Sequence, residues 1–207
     1  MSYMKPELVE YLICPKCASK FTLSVKKIEK NEIITGILKC TKTHKFEIKF
    51  GIPRLVVDSE NDFVKTESAF SSKWKKFNKT YHNKKWYDSQ KKWFLERFEW
   101  KTLPIFNKFL KSKKFILDAG TGVGNSAHLF SHNKKSQVFA IDASESVIFA
   151  YKKYGKLPNV HFIQTDIRKL PFQKNFFDFI CSDQVLHHTK DTQSSFKYIT
   201  KFLEKND

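Results

Sequence analysis

Short apolar runs alternate with amphipathic stretches along residues 114–207. Four of these runs predict buried strands, and they begin at Phe115, Gln137, Val160 and Phe176. Apolar runs of this length, bounded by turn residues, are typical of strands covered on both faces. The stretches between them carry apolar residues at helical spacing. Strand and helix therefore alternate, which predicts an α/β fold with a parallel sheet.

The first part of the chain has a different pattern. Residues 6–12 read as a short helix, with Pro6 at a tolerated first-turn position. Two strand-like stretches follow, FTLSVKKIEK and EIITGILK, and they predict a β-rich unit. We expect a small unit over residues 1–58, a linker and helical segment over 59–113, and the α/β core over 114–207.

The middle segment opens with a polar linker, DSENDFVKTE, and continues with an aromatic, Lys-rich stretch. It contains all four tryptophans, Trp74, Trp86, Trp93 and Trp100, and the last three are seven residues apart. That spacing predicts one helix face. One interpretation is a surface on which nucleic-acid bases stack; the alternative, which we prefer, is helices that pack on the core. Pro104 is expected to interrupt or restart the helix.

Composition narrows the class of protein. The chain has 207 residues, and no apolar run approaches the roughly 20 residues that span a bilayer. No long apolar segment of a signal peptide is visible near the N-terminus, so a cytoplasmic location is the expectation. The net charge is +17, but only Arg54, Arg97 and Arg168 of the 38 basic residues are arginines. Nucleic-acid sites more often use arginine, so we favour general surface charge over a nucleic-acid footprint.

The cysteines form a pattern with metal-ligand spacing. Cys14 and Cys17 make a C-x-x-C turn, and Cys40 and His44 form a second pair after the strand-like stretches. Two such pairs about twenty residues apart predict a structural zinc site with a Cys₃His ligand set. A redox dithiol is the alternative for the first pair, but no βαβ context surrounds it. Cys181 lies within a predicted strand and is expected to be a buried core residue.

The strongest chemical signal is FILDAGTGVGN, residues 115–125. An apolar strand is followed by Asp118 and by three glycines at alternate positions, which predicts a strand, a tight loop and a helix start. A dinucleotide fold wants G-x-G-x-x-G, and here its last position is Asn125. A carboxylate before the first glycine disfavours a pyrophosphate and suits a cationic ligand. The spacing therefore indicates S-adenosylmethionine (SAM), although an ordinary strand-to-helix turn remains the plain alternative.

Three more acids follow predicted strands. Asp142 ends the second strand, where a carboxylate can accept both hydroxyls of a ribose. Asp166 ends the third and Asp183 the fourth. The carboxyl ends of parallel strands meet at one edge of a sheet, so we expect all the strand-end acids along this edge.

In order, the motifs D-x-G-x-G-x-G, I-D-A-S, T-D-I-x-x-L-P-F and F-D-F-I-x-S-D-x-V-L-H-H-T resemble the class I SAM-dependent methyltransferases. Within these they resemble the broad methyltransferase type 11 family that includes the ubiquinone and menaquinone ring methylases. The resemblance implies a Rossmann-like sheet, of which strands one to four are present. It also implies that Asp166 lies near the adenine amino group, with Ile167 against the ring. The cofactor-binding residues it implies are Asp118, Gly120, Thr121, Gly122, Gly124, Asp142, Ala143, Asp166, Ile167 and Asp183.

The N-terminal phrases LICPKC and GILKCTKTHKFEIKFGIPRLV resemble the small zinc-ribbon module that activates RNA and protein methyltransferases. In that family the module is structural or binds a partner. It commonly ends in C-x-x-C, whereas here Thr43 stands in place of the fourth cysteine and His44 follows. The fourth ligand is therefore the least secure of the set.

Methyl transfer from a sulfonium needs positioning more than acid–base help. If the acceptor must lose a proton, the candidate bases are Asp183, His187 and His188, at the edge where ligands bind in open α/β sheets. The alternative for the two histidines is a place at a helix start or in the pocket wall.

The chain stops after the helix that follows strand four, whereas the family continues with further strands. We therefore expect an open edge at strand four, which could be completed by another chain. The leading hypothesis is a methyltransferase acting on a small molecule. The alternatives are an RNA methyltransferase and a truncated, non-catalytic scaffold that binds a protein partner through the ribbon or the sheet edge.

Overall fold

The computed structural model of the protein describes residues 4–57, Ser72 and 83–205. Its strands form two four-stranded sheets, one of β1–β4 and one of β5–β8. The strands are β1 Phe21–Glu29, β2 Glu32–Cys40, β3 Lys45–Lys49, β4 Ile52–Pro53, β5 Phe115–Ala119, β6 Gln137–Asp142, β7 Val160–Gln164 and β8 Phe179–Cys181. The described α-helices are α1 Leu8–Tyr11, α2 Lys84–Arg97, α3 Leu103–Lys111, α4 Asn125–Phe130, α5 Ser146–Tyr154 and α6 Thr192–Ile199, and short 3₁₀ helices cover Leu186–His188 and Thr200–Phe202.

The N-terminal sheet is antiparallel, in the order β1-β2-β3-β4. Lys30 and Asn31 join β1 to β2, and both have positive φ, 51° and 62°. A two-residue turn of this kind matches the right-handed twist of the strands it joins. Along β3 the side chains of Phe46 and Ile48 are buried and their neighbours are exposed, as expected for a strand with one covered face. The predicted β-rich unit is confirmed.

The second sheet is parallel, in the order β7-β6-β5-β8. Its strands are apolar on both faces because helices cover one side and the N-terminal sheet contributes to the other. Leu117, Phe139 and Ile163 pack in one cluster with residues of the N-terminal sheet, while Ile116 and Val138 pack in a second cluster with the helices. The predicted Rossmann-like α/β fold is confirmed.

The two sheets are joined at the β7 edge. Arg54, just after β4, forms a parallel bridge with Gln164 at the end of β7. The Leu55 N–H donates to the Gln164 carbonyl at 2.7 Å, and the Ile13 N–H donates to the Pro171 carbonyl at 2.9 Å. The segment after β4 therefore caps one edge of the parallel sheet.

Tyr11, in α1, packs against several rings in the part of the chain that forms the parallel sheet. Its ring centroid lies 5.7 Å from that of Phe115, 5.3 Å from Phe139 and 6.0 Å from Phe176. It also lies 6.2 Å from the ring of His161. The contacts with Phe115 and Phe139 are edge-on, and such contacts add to the free energy gained by burying aromatic area.

The opposite edge is β8. Within the described residues, Phe179–Cys181 pair only with β5. Phe177, just before β8, forms a parallel bridge with Leu203, and the Glu204 N–H donates to its carbonyl at 2.7 Å. The expected open edge is therefore present along β8 and is covered at its beginning.

The prediction of one helix face for three tryptophans was wrong for Trp100. Helix α2 ends at Arg97, and Glu99 follows with a left-handed φ of 55°. The Glu99 N–H bonds to the Glu96 carbonyl, and the Trp100 N–H bonds to the Leu95 carbonyl. This is a Schellman ending, which turns the chain away from the helix axis before Trp100. Trp74 lies outside the described residues.

The predicted break at Pro104 is confirmed as a helix start. Pro104 lies in the first turn of α3, after an N-cap at Thr102 whose hydroxyl accepts from the Ile105 N–H. Trp100 then packs against Phe106 and Phe109 at 5.1 and 5.0 Å between ring centroids. Trp100 therefore packs on the core and does not form a stacking surface.

We predict that Tyr11→Ala lowers the free energy of unfolding by about 3 kcal/mol, because it removes a ring from a cluster of four aromatic neighbours. Chemical denaturation followed by fluorescence measures the change. Thr22→Ala, at an exposed position of β1, is the control and should shift it by less than about 0.5 kcal/mol. Equal stability of Tyr11→Ala and the wild-type protein would contradict the packing role of this joint.

Candidate functional site: the carboxyl edge of the parallel sheet

A glycine loop connects β5 to α4. Gly120, Gly122 and Gly124 have φ values of 90°, 55° and 85°, a region that other residues adopt at a cost. A Cβ at Gly120 would lie 2.3 Å from a methyl group of Val185, and one at Gly124 would lie 2.9 Å from the Ala150 side chain. At these two positions glycine is required both by the backbone conformation and by close neighbours.

Asp118 lies beneath this loop and is almost completely buried, with 2% of its surface exposed. The Thr121 hydroxyl donates to its Oδ2 at 2.6 Å. Burial raises the pKa of Asp118 to about 7; the Thr121 hydrogen bond opposes this rise, whereas the charges of Asp142 and Asp183 add to it. In this arrangement the Asp118 carboxyl group holds Thr121 of the loop in place. Its predicted role opposite a ligand cation stays a prediction.

Asp142 ends β6 beside the same loop. Its Oδ2 accepts from the Gly122 N–H at 2.9 Å, and its Oδ1 accepts from the Ser144 N–H and hydroxyl at 2.8 and 2.7 Å. The carboxylate is therefore fixed between the glycine loop and the start of α5. Ser144 lies just before that helix, in which Glu145 is the N-cap and Gly155 is the C-cap.

Asp166 follows β7 and is paired with Arg168. The Arg168 Nε lies 3.2 and 3.1 Å from the two carboxylate oxygens, and Nη2 lies 2.8 Å from Oδ2. The Arg168 backbone N–H also donates to Oδ1 at 2.8 Å. Both residues come from one tight turn, and Ile167 between them is buried.

Asp183 follows β8 and is paired with Arg97, from the end of α2. One guanidinium nitrogen, Nη1, lies 2.5 Å from both carboxylate oxygens. Sequence reasoning missed Arg97 and Arg168 as members of this edge. The available signal is the rarity of arginine in a lysine-rich chain, which on its own indicates general surface charge and does not point to this edge.

His187 and His188 lie in the 3₁₀ helix Leu186–His188, which begins three residues after Asp183. Both side chains are exposed, and their ring centroids are 3.9 Å apart. Cys181, expected in the core, is buried, and burial raises the pKa of its thiol well above the usual value.

The structure brings together the strand-end acids at one edge of the sheet. They lie in or just after the neighbouring strands β7, β6, β5 and β8, in that order. Each accepts a hydrogen bond from the protein, and the charges of Asp142 and Asp183 act on Asp118. The glycine loop lies at the middle of this edge, where ligands bind in open α/β sheets.

A second group of chemical side chains lies in the N-terminal unit. Ligand atoms of Cys14, Cys17, Cys40 and His44 all lie within 4.8 Å of one another. The Nδ1 atom of His44 is 3.5 Å from the Cys14 sulfur and 3.4 Å from the Cys40 sulfur, and the Cys17 and Cys40 sulfurs are 3.6 Å apart. Tetrahedral zinc with metal–ligand bonds of about 2.0–2.3 Å needs spacings of about 3.5–3.8 Å. These residues therefore fit a structural zinc ion.

Each half of this cluster is carried on a tight turn. Ala18 and Thr43 follow the ligands Cys17 and Cys40 in the chain, and both have left-handed φ values, 57° and 65°. The turn at Thr43 brings His44, rather than the residue before it, to the cysteine sulfurs. A hydrogen bond from the Ser19 side chain lowers the pKa of Cys17 to about 7, which favours the thiolate that binds metal.

Comparison with known proteins agrees with this geometry. Residues 117–206 match the family model described as a methyltransferase domain. The matched residues make up less than half of the chain. Within residues 4–57 and 83–205, none of the helices combines the length and apolar character that crossing a bilayer requires.

The proteins to which this chain is similar in sequence include curated enzymes. The ubiquinone/menaquinone biosynthesis C-methyltransferase UbiE of Vibrio cholerae is 27% identical over 111 residues, which cover 51% of this chain and 43% of the relative. The UbiE of Shewanella sediminis is also 27% identical over 111 residues, covering 44% of its length. The chain thus spans less than half the length of the curated relatives that it matches.

Solved structures similar to the chain include a SAM-dependent methyltransferase from Aquifex aeolicus and a protein from Pyrococcus horikoshii. The first is 27% identical, covers 49% of this chain and 58% of its own, and has a TM-score of 0.44. The second is 23% identical, covers 70% of this chain and 58% of its own, and has a TM-score of 0.47.

We predict that Asp118→Asn removes a pH-dependent cost to stability. With a folded pKa of about 7 against an ordinary value of 3.8, the folded protein binds more protons at this site than the unfolded chain. The free energy of unfolding therefore falls as the pH rises through this window, by an amount on the order of 4 kcal/mol. The amide stays neutral, so urea denaturation from pH 4 to 8 should show the variant gaining stability over the wild-type protein. Parallel curves for the two proteins would contradict the raised pKa.

Proposed function

We propose that this protein is a SAM-dependent methyltransferase that transfers a methyl group to a small molecule. The observation that carries the proposal is the glycine loop at the middle of the acidic carboxyl edge, within the part of the chain that matches the methyltransferase domain. Similarity to curated C-methyltransferases of quinone biosynthesis supports a small-molecule acceptor. The alternatives of an RNA acceptor and of a protein-binding scaffold gain no support from the comparisons.

The cofactor site would follow the order of the strands. Asp142 is suited to the ribose hydroxyls, because its carboxylate is already fixed at the edge of the glycine loop. Asp166 and Ile167 would bound the adenine end of the site. Gly120, Thr121, Gly122 and Gly124 would line the loop against the methionine portion, with Ala143 beside the ribose acid and Asp118 and Asp183 next to the loop.

When bound, SAM supplies an activated methyl group on a sulfonium, and the reaction is an in-line displacement. The residues of this chain would hold the acceptor on the axis of that displacement and exclude water from it. Among the three candidate bases, Asp183 is the least suited to take a proton, because Arg97 pairs with both of its oxygens. His187 and His188 are exposed next to this corner and keep the role of candidate bases.

The central test is titration calorimetry of the full chain with S-adenosylhomocysteine (SAH). We expect micromolar binding by the wild-type protein and binding weakened by about tenfold or more in Asp142→Ala, because hydrogen bonds to a carboxylate are lost. Asp142→Asn, which keeps one oxygen, should fall between the two. Asp88→Asn, a half-exposed acid on α2 that pairs with Lys91, is the control. No binding by a folded wild-type protein would refute the proposal.

We also propose that Cys14, Cys17, Cys40 and His44 bind zinc in a structural site. The supporting observation is the spacing of their ligand atoms. A metal there would lock two turns of a unit that has a small core of its own.

For this site we predict that Cys40→Ser lowers the zinc content, measured by mass spectrometry of the purified protein. The unfolding temperature of the wild-type protein should fall on treatment with a strong chelator, because metal binding stabilises only the folded state. Cys181→Ser, a cysteine outside the cluster, is the control and should keep its zinc. A wild-type protein purified without zinc, and unaffected by added zinc, would contradict the proposal.

A further inference from the structure

We propose that Arg97 is a positioning residue, which couples helix α2 to the glycine loop by holding the corner Asp183–Gln184–Val185 in one conformation. This inference rests on the proposed function, because the loop it acts on is the proposed cofactor loop. It assigns a role to a residue that lies before the part of the chain matched by the methyltransferase domain.

The contact at one end of this link is an ion pair between Arg97 and Asp183. Arg97 is the last residue of α2, and its Nη1 lies 2.5 Å from both carboxylate oxygens of Asp183. With its amide oxygen facing the guanidinium, Gln184 accepts from Arg97 Nη2 at 2.7 Å and from Nη1 at 3.2 Å. One arginine thus holds two consecutive residues of the corner, which a lysine ammonium cannot do with the same planar geometry.

The corner itself has a costly backbone conformation. Gln184 has a φ of 57°, in the left-handed region that residues other than glycine seldom adopt. A residue held in such a conformation persists because its surroundings impose it. The Arg97 contacts to Asp183 and Gln184 are a candidate for that constraint.

The other end of the link is the glycine loop. The side chain of Val185 lies so close to Gly120 that a Cβ on the glycine would meet it at 2.3 Å. The Ser182 hydroxyl also donates to the Ala119 carbonyl at 3.1 Å. The loop and the corner are therefore in contact on both sides of Gln184, and a change in the φ of Gln184 would displace Val185 from Gly120.

The test compares SAH affinity, by calorimetry, among variants of the full chain. Arg97→Gln should weaken binding about tenfold, and Arg97→Lys should recover only part of the loss. Lys85→Gln removes a charge from the same helix and should leave affinity unchanged. Thermal unfolding checks that each variant is folded.

Two substitutions of Gln184 then distinguish the effect of backbone strain from the effect of the Arg97–Gln184 contact. Gln184→Ala removes the amide but keeps a side chain at positive φ, whereas Gln184→Gly removes both the amide and the strain. Arg97→Gln should cost nearly the full amount in the alanine background and at least about threefold less in the glycine background. Equal losses in the two backgrounds would overturn the coupling, as would unchanged affinity of Arg97→Gln.

Hydrogen–deuterium exchange of the ligand-free protein keeps this inference distinct from the proposed function. Arg97→Gln should speed exchange in the peptide covering residues 118–125 and leave the peptides of β1 and β2 unchanged. If the wild-type protein binds no SAH, the proposed function fails, and this exchange result still decides the coupling. Unchanged exchange over 118–125 would overturn it.

Discussion

Acidic side chains crowded along one edge of a parallel sheet repel one another, and this repulsion has to be offset before the edge can serve any ligand. Asp118, Asp142, Asp166 and Asp183 lie in or just after adjacent strands. Burial raises the pKa of Asp118, and the charges of Asp142 and Asp183 add to this rise. The chain offsets each charge locally. Two acids accept from backbone or hydroxyl groups of the loop region, and the other two are paired with arginines.

The placement of arginine follows from this constraint. The chain has 38 basic residues, of which only Arg54, Arg97 and Arg168 are arginines, and all three lie at the carboxyl edge. Arg168 and Arg97 pair with Asp166 and Asp183, and Arg54 donates to the Gln164 side chain at the end of β7. A planar guanidinium can satisfy two oxygens of a partly buried carboxylate at once, whereas a lysine makes point contacts and is the general surface residue here. This difference accounts for arginine at the carboxyl edge of a chain whose other basic residues are lysines.

Sequence reasoning recovered the features that depend on neighbours along the chain. The apolar runs predicted the parallel strands, and the acids at their ends were predicted to share one edge because parallel strands align their carboxyl ends. It failed where the decisive contact joins distant residues. Arg97 is 86 residues from Asp183, and Arg54 is 110 residues from Gln164. It also failed at Trp100. A seven-residue spacing indicates one helix face only if the helix is continuous, and here a left-handed residue, Glu99, ends α2 at a position where the sequence has no glycine.

The carboxyl edge is bounded at both ends by elements that precede the sheet in the sequence. At the β7 end, the segment after β4 pairs through Arg54 and Leu55 with Gln164. At the β8 end, α2 reaches the edge through Arg97. Both contacts come from residues before 117, where the match to the methyltransferase domain begins. Residues that lie before the matched region thus bound both ends of the edge that carries the glycine loop.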